Sequence, residues 1–79
     1  MVELERLHEL RKRVDEIDEQ IIKLLEERLR IAREIGEIKR GLNLPIRDEK
    51  REEEVLRKAG KFREVFEKIV EVCRDVQRL

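Results

Sequence analysis

Arg28 stands in the middle of a stripe that is otherwise apolar. Read at alternating steps of three and four, the stripe is Leu7, Leu10, Val14, Ile17, Ile21, Leu24, Arg28, Ile31, Ile35, Ile38 and Leu42. That spacing places all of them on one face of one helix. A guanidinium on such a face needs a counter-charge, because a lone buried charge is very costly. Either a carboxylate on a facing helix supplies it, as a structural ion pair, or a bound anion does. Other inward positions bear on the same question. Lys39 lies eleven residues beyond Arg28, about three turns and ~16 Å along a helix axis. Long side chains from the two positions could grip one small ligand. Arg11 lies about 25 Å before Arg28 and is too far to join from the same helix. An antiparallel second chain could bring its own Arg11 to that place. Asp48, Arg51 and Glu52 continue the apolar stripe Val55, Leu56, Ala59 backwards by threes and fours. Gln77 follows Cys73 by four and Ile69 by eight, so it faces inward and its amide needs partners. Taken singly, Arg11 and Lys39 also fit solvated or salt-bridged margin positions, and the residues near Asp48 fit a capped helix start. Cys73 alone reads as a small buried hydrophobe.

The residues that are missing narrow the chemistry. The chain has no serine or threonine, so no hydroxyl triad. One His (His8), one Cys and no glycine-rich loop argue against zinc and nucleotide-phosphate sites. What is left is a cationic pocket of Arg and Lys with one Glu and one Gln. It suits a small dianion and a reaction that needs charge stabilisation rather than a nucleophile.

Three helices are expected to position these groups. The first runs from about Glu3 to about Arg40, with Gly41 as a left-handed stop and Pro45 barring helix just beyond. The second starts near Asp48, an N-cap candidate, and ends near Gly60. The third runs from about Phe62 onward and carries Phe62, Val65, Phe66, Ile69, Val72, Cys73 and Val76 inward. The fold class is therefore all-α, in a single domain over residues 1–79. The first helix would be roughly 55 Å long, whereas a compact chain of this size has a radius of gyration near 11–12 Å. The two fit together if a second copy covers the seam. An obligate, intertwined homodimer is expected.

Composition agrees. Charged residues make up 51% of the 79, the net charge is zero, and two Phe are the only aromatics. This is the make-up of long amphipathic helices. It offers neither a global field for nucleic acid nor a platform for base stacking. No apolar run is long enough to span a membrane, and the start is not that of a signal peptide. A single cysteine fits a reducing cytoplasm. Few Asn, Gln, Cys and Met among many Glu, Lys and Arg suggest a heat-adapted, thermostable chain.

Several segments in order resemble the all-helical class of chorismate mutases. They are Leu10-Arg11-x-x-Val14-x-x-Ile17-Asp18, the pair Glu27-Arg28, Gly36-x-x-Lys39, Pro45-Ile46-Arg47-Asp48-x-x-Arg51-Glu52, and Cys73-x-x-x-Gln77. Each is weak alone; order and spacing together are specific. The resemblance covers nearly the whole chain and implies an intertwined dimer of three-helix chains. It implies the rearrangement of chorismate to prephenate, a step towards phenylalanine and tyrosine that needs no cofactor. By the resemblance, Arg28 and the partner copy's Arg11 bind the two carboxylates. Lys39 and Gln77 donate to the ether oxygen, Glu52 and the backbone near Asp48 take the ring hydroxyl, and Arg51 adds positive field. Relatives often carry a hydroxyl residue where Cys73 stands, and a thiol is the weaker donor.

Two other readings remain open. A lyase that removes pyruvate from isochorismate would use much the same pocket. A non-catalytic helical dimerisation or regulatory module would explain the seam but not four polar groups facing inward. A plain coiled coil would gain stability from Arg28→Leu, whereas an enzyme would lose activity. Association with another enzyme of the aromatic pathway is a further possibility.

Overall fold

The first forty-odd residues contain no proline, and no glycine before Gly36. They are dominated by Leu, Glu, Arg and Lys, unbranched-at-Cβ residues that lose little on entering a helix, with Ile added at a small cost in side-chain freedom. In the computed structural model, which describes residues 1–79, they form one helix of 40 residues, α1 (Val2–Gly41). Its charges suit the helix dipole, with Glu3 and Glu5 in the first turn and Lys39 and Arg40 in the last.

The stop comes later than the sequence suggests. Gly41 is still helical, and Asn43 takes the left-handed conformation at φ 55°. Leu44 N–H donates to the Lys39 carbonyl (2.8 Å) and Asn43 N–H to that of Arg40 (3.3 Å). This is the paired closure of a Schellman turn, and asparagine tolerates the left-handed position well enough to serve in it. Pro45 follows and prevents any resumption of helix.

Asp48 caps the next helix, α2 (Glu49–Ala59), by accepting from the Arg51 N–H at 3.0 Å. Gly60 adopts φ 56°, a conformation that costs glycine little. One 3-10 turn, Gly60–Phe62, then leads directly into α3 (Arg63–Gln77). The two helices expected after the loop are thus joined, without a break in helical turns, into one hairpin. The α3 start shifts from Phe62 to Arg63.

Leu25 and Leu29 lie beside Ile69 and Val72, and Gly36 lies beside Gln77, so α3 runs parallel to α1. The buried residues are Ala32, Gly36, Val70 and Cys73, four of 79. The face of α1 that meets α3 is thus the row next to the apolar seam, not the seam itself. Val70 is the buried valine of α3; Phe62, Val65 and Val72, expected to face inward, are exposed. Seam residues Leu10, Val14, Ile17 and Ile21 lie bare, with Ile17 53% exposed. The radius of gyration is 17.3 Å and the long dimension 62 Å, against roughly 11–12 Å for a compact chain of this length. No helix is long and apolar enough to cross a membrane.

Candidate active site

The C-terminal half of α1, the loop before α2, and the hairpin enclose a cleft of about 430 Å³. Ile31, Ala32, Ile35, Ile46, Val55, Val70 and Cys73 form its apolar walls. Its polar lining is Arg28, Lys39, Asp48, Arg51, Glu52, Arg74 and Gln77. Four cations face two carboxylates, so the cleft carries an excess of two positive charges.

Lys39 is pinned. Its Nζ donates to the Ile46 carbonyl at 2.7 Å and to Gln77 Oε1 at 2.8 Å. An ammonium has three N–H donors, so one remains. The same contact orients Gln77. With Oε1 accepting from Lys39, the amide NH₂ is the free end, which settles which way round the amide lies. The two groups therefore present an ammonium proton and an amide proton side by side.

Gln77 is the last residue of α3, a place where helices fray. Two features hold it. Arg40 Nη1 donates to its backbone carbonyl at 2.7 Å, satisfying one of the acceptors left open at a helix end. Gly36 lets the two backbones touch. A Cβ on Gly36 would stand 2.6 Å from the Gln77 carbonyl oxygen and 2.8 Å from its Cα.

Arg28 is half-buried and makes no ion pair within the chain. The carboxylate partner that the sequence left open is not provided by this chain's own helices. Glu52, by contrast, is paired within the chain. Arg74 Nε and Nη2 reach its two oxygens at 2.9 Å each, and Arg47 Nε stands 3.6 Å from Oε1. The Arg74 fork holds the Glu52 carboxyl below the ordinary carboxylate range against an opposing effect of burial, with Arg47 and Lys39 adding to the lowering. That pairing stabilises the fold above the ordinary carboxylate range, and the contribution is lost as pH falls through the lowered value. The same contact raises Arg74, which stays charged throughout.

Of the residues singled out from the sequence, Arg28, Lys39, Asp48, Arg51, Glu52, Cys73 and Gln77 line this one cleft. Asp48 spends its side chain on the cap. Cys73 is buried in the wall. Arg11 stands exposed on the bare half of α1 and lines no part of the cleft. Arg74 was missed. Its signal was a row four after Val70 and three before Gln77, hidden because the inward face was drawn through Ile69 and Cys73 instead.

A helical chain that gathers four cations and one oriented amide around a small half-apolar cleft is built to hold a small organic anion. The sequence profile of chorismate mutase type II matches residues 10–78, and the chain belongs to that family. A chorismate mutase of Methanocaldococcus jannaschii is 44% identical over 72 residues, covering 91% of this chain and 63% of that protein. A bifunctional chorismate mutase/prephenate dehydratase of Aquifex aeolicus is 47% identical over 73 residues, covering 92% of this chain and 17% of that protein. A 3-dehydroquinate dehydratase of Pyrobaculum aerophilum is 43% identical over 68 residues, covering 86% of this chain and 23% of that protein. The chain therefore spans less than two thirds of each of these curated relatives. Among solved structures, a conserved hypothetical protein from Pyrococcus furiosus is 68% identical with a TM-score of 0.89, covering 90% of this chain and 93% of that one.

Proposed function

We propose that this chain is a chorismate mutase, cytoplasmic and thermostable, whose residues 1–79 form one domain that converts chorismate to prephenate. The observation that carries the reading is the Lys39–Gln77 pair, two donors locked together in a cleft with excess positive charge. The rearrangement is unimolecular. It needs the enolpyruvyl arm held over the ring and the charge growing on the ether oxygen stabilised as the carbon–oxygen bond breaks. Lys39 and the Gln77 amide are the donors to that oxygen. Arg28 receives one carboxylate through a bidentate fork. Arg51 adds positive field, and Glu52 with the backbone near Asp48 accepts the ring hydroxyl. Cys73 shapes the wall.

The second carboxylate falls to Arg11 of a second copy. Three-helix chains packed as an intertwined homodimer would cover the exposed seam and bring Arg11 to the opposite cleft. The length of α1 and the bare side chains along it support that arrangement. The Aquifex aeolicus relative, named for two activities on one chain, is in keeping with association with another enzyme of the aromatic pathway.

The test is to incubate the purified chain with chorismate and identify the product. Prephenate formed far above the spontaneous rate is the expected result. Turnover of isochorismate to pyruvate instead would make the chain a lyase. Acceleration of neither would leave the cleft a regulatory binding site.

A further inference from the structure

Two arginines of the cleft are in opposite states. Arg28 has no carboxylate partner within the chain, while Arg74 gives two of its nitrogens to Glu52. The pair joins α2 to α3 across 22 residues, and both side chains are largely covered, at 19% and 16% exposure. A fork that meets a carboxylate edge to edge holds the two groups in one plane. An ionised carboxylate has about four acceptor directions. Arg74 takes two of them, and the others keep fixed directions relative to the cleft. Arg74 is therefore no longer a free cation for a substrate carboxylate. Its effect on substrate passes through Glu52.

We propose that Arg74 is a positioning residue that holds Glu52 as a fixed acceptor for the hydroxyl on the substrate ring, and so makes the site selective for hydroxylated over deoxygenated substrate. The proposal rests on the mutase reading of the cleft. A hydroxyl donates best to a charged acceptor, and a carboxylate free to rotate or to take up a proton would lose that preference. The groups that face Glu52 are Arg74 from α3, Lys39 from α1 and Arg47 from the loop before α2, with Glu49 held 3.9 Å from Arg47 on its outer side. All three cations favour the ionised form, and Arg74 contributes most.

The experiment compares the full-length chain with Arg74→Met and Arg74→Lys, on chorismate and on the analogue lacking the ring hydroxyl. With chorismate, Arg74→Met should lose roughly 10–100-fold in kcat/KM, mainly through KM, the scale of one charge-assisted hydrogen bond. With the deoxygenated analogue it should lose little. The acid limb of the chorismate profile should move to higher pH as Glu52 returns towards the ordinary carboxylate range. Arg74→Lys keeps the charge without the planar fork and should fall between. Equal losses on both substrates, from variants with unchanged helicity, would overturn the proposal and make Arg74 a packing residue. If Arg74→Met does not fold, Arg74→Lys decides, and full retention of wild-type discrimination in it would refute the need for the fork. If the wild-type chain rearranges neither compound, the mutase reading fails separately. The Glu52 titration, followed by carbon NMR in wild type and Arg74→Lys, then tests the pair itself, and an unaltered curve would overturn it.

Discussion

The two halves of α1 follow the same apolar rhythm and end in different surroundings. From Leu25 onward, one row packs under α3, with Ala32 and Gly36 buried and Lys39 turned into a polar cleft. Before Leu25, every residue of the helix is exposed, including Leu10, Val14, Ile17 and Ile21. Helical periodicity fixes which residues share a face, but it does not say what covers that face. In one half the chain's own hairpin covers the row beside the seam, while Ile31, Ile35 and Ile38 of the seam itself stay exposed. In the other a cover is still required, because an apolar strip this long is unusual on a free monomer. The covered half holds the proposed chemistry and the bare half the proposed assembly, with Arg11 as the link between them.

That division can be broken from either side. The largest effect is expected from Ile17→Asp in the bare half. A charge forced into a helix–helix interface costs several kcal/mol, so sedimentation should report a monomer, and turnover should collapse for want of Arg11. An unchanged dimer mass would remove this stripe from the interface. Next comes Lys39→Ala in the covered half, which should lower kcat about 10²–10³-fold, the scale for one charge-stabilising donor, with the oligomer intact. Near-normal turnover would take Lys39 out of the chemistry. Gly36→Ala sharpens the comparison because it pits helix propensity against contact. Alanine gains about 1 kcal/mol as a helix former, yet its Cβ meets the Gln77 backbone, and overpacking costs about 1–3 kcal/mol. A lower melting temperature and a slower reaction are expected; a higher melting temperature would show that α3 moves aside freely. The smallest effect is at the loop: Asp48→Ala should cost about 1 kcal/mol in unfolding, the usual value of a lost N-cap. Chemical denaturation would measure it, and no change would mean that the cap is replaced by water.

Much of the architecture was legible because it rests on local rules. The 3.6-residue period marked α1 to within two residues of its ends, and the Asp48 cap follows from its side chain alone. Arg28, Lys39, Glu52 and Gln77 could be placed together because each breaks or extends an apolar stripe at helical spacing. The C-terminal stop of α1 was misplaced because glycine is only the commonest left-handed residue, and Asn43 served instead. Arg74 was hidden for a different reason. Its partner is 22 residues away on another helix, and no period links them. Gly36 appeared in the sequence only as part of a spacing motif. Its role depends on where a second backbone crosses, which is a property of packing rather than of the helix that contains it.

The excess charge of the cleft has a consequence for the resting protein. Arg28, Lys39 and Arg51 share a small space with Arg74, and Arg74 alone is neutralised by a bidentate partner. Few residues are buried to oppose their mutual repulsion. A dianion entering that space would act as a missing piece of the interior, joining α1 to the hairpin from within. Occupancy and folding are then linked equilibria. A ligand at a hundred times its Kd adds about 2.7 kcal/mol to stability, so the thermal midpoint of the protein becomes a direct gauge of which small acids the cleft accepts.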